Sequence, residues 1–263
     1  MKNISVIILH FGKYQDTVEC LDSLNNADKK NVNLKIFLAD NGTKENFPQY
    51  KNISIIRNEK NLGFAAGINS GLKEAFKDKA VASFLILNND TSVPKNFFEE
   101  IIKSENDITG AVIKFLNNKG EVIFDYGGRL NPWTGRTTHL EEKKHFKKPA
   151  KEADYVSGCC MLVRRKVFES IGLFDERFFF YFEDVDFCLR AKKYGFKIGV
   201  QPQTVINHKL SSSIGRWSNR AIYYNIKANF QLVNKHFGIR KLSAWVYLCL
   251  LAGKIIWDKI KTS

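Results

Sequence analysis

This 263-residue chain predicts an α/β fold, a largely parallel sheet with covering helices. Three observations carry that expectation. The first hundred residues alternate strand and helix signals. The apolar run at residues 82–87 stops abruptly in Asn88-Asn89-Asp90, as a strand buried on both faces does. Finally, 44% of the residues are hydrophobic, enough for one large core or two small ones.

The elements follow in order. Ile4–Leu9 is the first strand. Asp16-Thr17-Val18-Glu19 resembles a capping box, and Val18, Leu21 and Leu24 follow at helical spacing. Leu34–Ala39 is a second strand ending in the turn signal Asp40-Asn41-Gly42. Ile53–Ile56 is a short third strand. Ala65–Phe76 is a helix with Ile68, Leu72, Ala75 and Phe76 on one face, Phe84–Leu87 a fourth strand, and Asn96–Lys103 a helix. Beyond Gly110 come the β-like stretches Ala111–Phe115, Val122–Tyr126 and Tyr155–Val163, flanking a Gly- and Lys-rich segment at 127–152 that reads as a mobile loop. A helix over Lys166–Ile171, another starting near Glu183, a strand over Lys197–Ile206 and two helices, Asn219–Phe237 and Leu242–Ile260, complete the chain. The expected divisions are a nucleotide-binding half at 1–110, a second half at 111–210, and a lid with basic helices at 211–263.

Composition excludes several classes. Five scattered cysteines form neither a disulfide framework nor zinc spacing, which places the chain in a reducing cytoplasm. No apolar stretch reaches the roughly 18–20 residues a membrane span needs. The N-terminal apolar run is too short for a secretory signal and lacks its cleavage site. Net charge is +14, which calls for an anionic partner. From Arg216 onward nine basic residues face the single acid Asp258, and Lys143, Lys144, Lys147, Lys148 and Lys151 form a second cluster. This charge is local and no nucleic-acid module accompanies it, so a nucleic-acid partner is not expected.

Ligands of open α/β sheets collect beyond the carboxyl ends of the strands, where five polar clusters fall. Asp40 is either a turn aspartate or an acceptor for a ribose or base. Asn61-Leu62-Gly63 through Asn69 is either a glycine-relieved helix entry or a backbone cradle for phosphate. Asn88-Asn89-Asp90 offers hard oxygen ligands suited to Mg²⁺ or Mn²⁺. Glu183-Asp184-Val185-Asp186, behind the aromatic run 178–182, is either a set of helix N-terminal acids with Phe182 as a staple, or a general base among aromatic walls. His208, after the last strand, is either structural or a metal ligand beside one carboxylate.

Together, Asp40-Asn41-Gly42, Asn61-Leu62-Gly63-Phe64-Ala65-Ala66-Gly67-Ile68-Asn69, Leu87-Asn88-Asn89-Asp90, Ser157–Arg165, Gly172-Leu173-Phe174-Asp175-Glu176 and Tyr181–Arg190 resemble glycosyltransferase family 2, and within it the rhamnosyltransferase-like branch. The resemblance runs from about Ile4 to His208. It implies a GT-A fold, with one Rossmann-like nucleotide-binding half fused to an acceptor-binding half, a nucleoside-diphosphate sugar donor, and Mn²⁺ or Mg²⁺. By the same resemblance Asp40 contacts the nucleoside and the backbone of His10, Phe11 and Gly12 lines the base pocket. Asn88 and Asn89 lie near the donor, Asp90 and His208 hold the metal, and Asp184, paired with Glu183, is the base. The first acid of a strict DxD is absent, leaving Asp90 as the motif's one acidic ligand, and His10-Phe11-Gly12 departs from the more common Tyr-Asn ending.

The expected chemistry is an inverting transfer from dTDP-rhamnose or a UDP-hexose to a hydroxyl of a glycan or lipid-linked saccharide of a bacterial surface polysaccharide. One base and no second nucleophile argue for a single displacement. The segment 208–219 is either a linker or a lid whose Arg216 reaches the diphosphate. The basic C-terminal helix is expected to meet either the inner leaflet, making the protein peripheral, or a packing partner, including a second copy in a homodimer. Two other classes are less well supported. A catalytically silent partner subunit is disfavoured by retention of Asp40, Asp90, Asp184 and His208. A nucleotidylyltransferase would need a basic Gly-rich loop that residues 8–20 lack.

Overall fold

A computed structural model describes residues 1–48, 51–146, 152–210 and 218–262, with side chains of the last helix as far as Lys254. Six elements build the first layer: β1 (Lys2–His10), α1 (Tyr14–Asn26), β2 (Val32–Asn41), β3 (Ile53–Asn58), α2 (Gly63–Ala75) and β4 (Ser83–Asn88). Their strands are parallel in the order β3-β2-β1-β4. The chain therefore works outward from β1 in one direction and then crosses over to place β4 on its other side. This switch point, at the carboxyl ends of β1 and β4, is where open α/β sheets bind ligands.

The sheet continues through β5 (Thr91–Ser92), β6 (Ile108–Leu116), β9 (Cys160–Arg164) and β10 (Ile198–His208). β9 lies antiparallel between β4 and β6, so one sheet runs through both expected halves. Helices α3 (Phe97–Ile101), α4 (Arg165–Ile171) and α5 (Glu183–Lys193) cover it, and α6 (Asn219–His236) and α7 (Lys241–Thr262) form a C-terminal hairpin.

Strand alternation divides the core. Ile4, Val6 and Ile8 face α1 and α3, where Leu21, Leu24, Phe97 and Phe98 meet them. Ile7, Phe84 and Ile86 face Ile68 and Leu72 of α2 and, further along, Phe187 of α5. Each such side chain, fully buried, contributes about 1.5–3 kcal/mol. The closeness of α2 to β1 depends on small residues. A Cβ at Gly71 would lie 2.8 Å from the Ile7 side chain.

Three expectations need correction. The capping-box residues do not start α1, which begins at Tyr14 without a side-chain cap. Asp16 and Thr17 are drawn into tertiary contacts instead, Asp16 with Lys209 Nζ at 2.9 Å and Thr17 with His10. Residues 127–152 are not one mobile loop, for β7 (Val122–Leu130) extends into them and β8 (Thr137–Glu142) pairs with it. A bulge between Asp125 and Gly128 interrupts the alternation there, which hid the hairpin in the sequence. Tyr155–Val163 is a bridge at Tyr155 followed only later by β9.

Candidate active site

The last residues of β4 turn sharply through Asn88-Asn89-Asp90 into β5, which pairs with the end of β10, Thr91 opposite His208. This pairing brings Asp90 and His208 together. His208 Nε2 is 3.1 Å from Asp90 Oδ1, and Asp90 is buried. One carboxylate oxygen and one imidazole nitrogen this close can share a single cation, and the pair suits Mn²⁺ or Mg²⁺ with further oxygen ligands. Among the described residues no third His, Cys, Asp or Glu joins them.

Across a cleft of about 570 Å³ stands the start of α5. The backbone entering this helix is strained: Tyr181 and Phe182 have φ of 71° and 64°, conformations that side-chain-bearing residues rarely adopt. Phe182 is therefore not an extended staple but the left-handed residue that turns Glu183 and Asp184 into the cleft. Asp184 Oδ2 accepts from Gly158 N–H at 2.9 Å and Oδ1 from Val185 N–H at 2.7 Å. Burial pushes its carboxyl up, against the pull of those two amides and of His139. Glu183 is pushed much further up by burial and then by Asp184, and its Oε2 is buried without a hydrogen-bond partner. Of the two adjacent acids, burial disfavours the charged form of Glu183 more, and Asp184, with amides on both oxygens, is the one fitted to be the base. Asn88 and His208 line the same cleft.

The residues expected at the nucleoside lie along the same sheet edge, with His10 in register with Asp40. Phe11 is half-buried and Gly12 exposed. Asp40, however, offers no free lone pair. Oδ1 accepts from Thr43 N–H and Oγ–H, Oδ2 from Lys44 N–H and Arg57. Burial would raise its pKa, but these bonds outweigh that and hold it low. In this structure Asp40 shapes the turn after β2 rather than presenting an open acceptor.

The 61–69 segment is also corrected. The N–H groups of Leu62, Gly63 and Phe64 are already bound, by Asn41 Oδ1, Asn61 Oδ1 and Phe179 O, so they form no phosphate cradle. Gly63 is glycine because φ is +81° and a Cβ would sit 2.3 Å from Phe179 O. Asn61, as the acceptor for Gly63 and for Asn41 Nδ2, fastens the helix entry. Asn69 is buried and clamps the 174–176 loop, donating to Phe174 O and Glu176 and accepting from Phe174 N–H, which makes it a structural residue and not a donor contact. Asn89 donates to Thr17 Oγ1 at 2.8 Å. Arg216 and the expected lid at 211–217 lie outside the described residues, as do Lys147, Lys148 and Lys151.

The sequence reading missed part of the cleft wall. His139 and Thr137 of β8, Tyr155, and Ala221, Ile222 and Asn225 of α6 all line it. His139 Nδ1 is 2.8 Å from Asp125 Oδ2, and that bond raises its pKa. The one available signal was Asp125, placed before Tyr126-Gly127-Gly128 as a bulge residue accepting from Gly127 N–H.

A doubly covered sheet with this switch point, with His208 and its neighbour Asp90 on one side of a cleft and the adjacent acids Glu183 and Asp184 on the other, is the architecture of the GT-A fold. GalNAc-T7 solved with UDP, GalNAc and Mn²⁺ shares it, with a TM-score of 0.62 at 14% identity over 89% of this chain and 47% of that one, so this chain spans about half its length. The sequence model of Glycosyl transferase family 2 matches residues 5–172, and the chain belongs to that family, in its rhamnosyltransferase-like branch. It is 24% identical over 246 residues to the low-salt glycan biosynthesis hexosyltransferase Agl10 of Haloferax volcanii, covering 90% of this chain and 77% of the relative. It is 25% identical over 228 residues to the N-acetylglucosaminyl-diphospho-decaprenol L-rhamnosyltransferase of Mycobacterium tuberculosis, covering 74% and 72%.

Proposed function

We propose that this glycosyltransferase is metal-dependent and inverting, and moves a sugar from dTDP-rhamnose or a UDP-hexose to a hydroxyl of a glycan or lipid-linked saccharide. One observation carries the reading: Asp184 and His208, the latter 3.1 Å from Asp90, open on one cleft. The names of the relatives support a glycan-building role and a lipid-diphosphate acceptor.

In this reading the acceptor hydroxyl lies against Asp184, which takes its proton as the oxygen bonds to the anomeric carbon. The bond from that carbon to the diphosphate breaks on the opposite face, and its electron pair leaves on the diphosphate oxygen. A divalent cation bound by Asp90 and His208 would supply Lewis-acid stabilisation of that leaving group. Burial disfavours the charged form of Glu183, so it tends not to add negative charge beside the base. Attack opposite the leaving group inverts the carbon.

Five unpaired cysteines, four of them buried, suit a reducing cytoplasm. The apolar outer face of α7 suits contact with the inner membrane leaflet, since no described helix is long and apolar enough to cross a membrane.

The test is a panel of nucleotide sugars assayed for slow hydrolysis with Mn²⁺ and with EDTA. A dTDP- or UDP-sugar should turn over only with the metal, and Asp184→Asn should lower that rate at least 100-fold, in line with loss of a general base, while nucleotide binding survives. Undiminished turnover in EDTA, or by Asp184→Asn, overturns the assignment.

A further inference from the structure

The β7–β8 hairpin carries an acid–histidine pair that the reaction above leaves unused. Asp125 sits at the bulge of β7, where its Oδ1 accepts from Gly127 N–H at 2.8 Å. Its Oδ2 lies 2.8 Å from His139 Nδ1 on β8. The Asp125 side chain is 8% exposed and that of His139 48%, so a buried carboxylate is spent on aligning a half-open imidazole. Bulges next to active sites re-aim side chains in this way.

The alignment is built from the backbone up. Gly127 has φ of +85°, and a Cβ there would lie 2.5 Å from Tyr155 O. Gly128 pairs with His139 across the ladder, and a Cβ on it would strike the Tyr155 hydroxyl. The two glycines thus admit Tyr155, whose ring meets His139 edge to face with centroids 6.0 Å apart. Fastening the hairpin does not require the acid–histidine pair. Ser243 Oγ donates to Trp133 O at its turn, and Leu130 N–H donates to Asp154. An ion pair with an exposed partner adds only about 0–1 kcal/mol.

His139 and Asp184 line one cleft. The Asp125 bond raises the His139 pKa, burial lowers it, and Asp184 is near enough to add to the rise. With Nδ1 committed to Asp125, Nε2 is the nitrogen left to the cleft, and among the described residues it takes no bond. Neutral, Nε2 accepts from a hydroxyl; charged, it donates to an oxygen. A sugar hydroxyl answers both states. Phe180 and Tyr181 add aromatic wall to the same cleft and Asn225 an amide, the mixture that concave ligand sites use.

We propose that His139, aligned by Asp125, binds the acceptor: its Nε2 hydrogen-bonds one oxygen of the acceptor sugar while Asp184 takes the proton from the attacking hydroxyl of that sugar. His139 itself gives up no proton. The inference rests on the glycosyl-transfer reading above and adds to it the residue that holds the sugar being extended.

The test is how the donor divides between acceptor and water. With Mn²⁺ and a dTDP- or UDP-sugar that turns over, the protein is offered short-chain lipid diphosphates each carrying one sugar, and transfer is counted against hydrolysis. His139→Ala should raise the acceptor KM and lower the ratio of transfer to hydrolysis about tenfold, the loss of one good hydrogen bond. His139→Gln, which keeps a hydrogen-bonding group, should recover part of that ratio and carries the comparison if His139→Ala fails to fold. Asp125→Asn, with the imidazole present but unaligned, should lower the ratio too. A wild-type ratio in the histidine variants overturns the inference, as does an equal fall in transfer and hydrolysis, which would assign His139 to Asp184 or the donor. If the unaltered protein hydrolyses no nucleotide sugar, the glycosyl-transfer reading itself fails. Hydrolysis with no transfer to any of the lipid diphosphates overturns the acceptor class and this inference with it.

Discussion

Two residues show how local chemistry is set at the cleft. Glu183 is 8% exposed and its Oε2 has no partner, so the ionised form is costly there. Its folded-state pKa stands well above the unfolded value of about 4.3. The native protein holds a proton that the unfolded chain releases, so this group's favourable contribution is full below about pH 4.3 and is lost as pH rises through the raised native value. Glu183→Gln keeps a neutral side chain of the same shape. Its melting temperature should therefore gain on wild type as pH rises above about 4.3, until the raised native value is passed. A constant gap across that range would mean that Glu183 ionises freely. Gly63 is the second case. Gly63→Ala must accommodate a methyl 2.3 Å from Phe179 O at a positive φ, and the neighbouring Phe64 N–H to Phe179 O bond of 2.7 Å fixes that loop in place. A loss of about 1–3 kcal/mol is expected from the strained backbone, read from denaturant midpoints, together with reduced donor hydrolysis because the 178–182 loop leads into Asp184.

Among the elements, the strands were the most legible part of the sequence, because β1, β2 and β4 are buried on both faces and read as plain apolar runs. Asp90, Asp184 and His208 stood out as candidates for a related reason: each sits where a strand or helix ends, and such ends show in sequence. The β7–β8 hairpin was not legible, since its bulge breaks the period and β8 is half-exposed, so His139 was hidden with it. Asn69 misled in the opposite way. A motif position can hold a clamp for a loop 105 residues away, and nothing local distinguishes that from a ligand contact. The joining of α5 to α6 was equally invisible. Asp186, 0% exposed, accepts from His236 Nε2 at 2.7 Å, Lys235 Nζ at 2.7 Å and Arg190 Nε at 2.9 Å. Burial alone would raise its pKa, but the hydrogen bonds from His236 and Lys235 and the charges of Arg190 and Lys235 hold it low. Its contribution is thus present above about pH 3.9 and lost as pH falls through the depressed native value. Asp186→Ala strands those partners around an empty site and should cost about 3–5 kcal/mol in chemical denaturation. A loss below 1 kcal/mol would show that α6 is held by its apolar contacts instead.

At the scale of the molecule, the charge and the cleft are connected through the C-terminal hairpin. Ala221, Ile222 and Asn225 of α6 line the cleft, while Ala244 and Leu248 of α7 pack on Val233 and Phe237. This packing turns Leu242, Val246 and Leu250, spaced four residues apart, outward at 59%, 62% and 70% exposure. An apolar helical stripe in the most basic part of the chain fits an anionic lipid surface, each nearby basic residue adding roughly 1 kcal/mol. Such contact would bring a lipid-held acceptor to the side of the protein where α6 meets the cleft. The full chain should sediment with phosphatidylglycerol vesicles at low salt and be released as salt screens the attraction. Leu242→Gln, Val246→Gln and Leu250→Gln combined should abolish sedimentation while leaving nucleotide-sugar hydrolysis intact, because none of the three touches the cleft. If the unaltered protein ignores such vesicles but runs as a dimer that the triple variant dissolves, the stripe is covered by a second copy of the chain, and the acceptor reaches the cleft without help from α7.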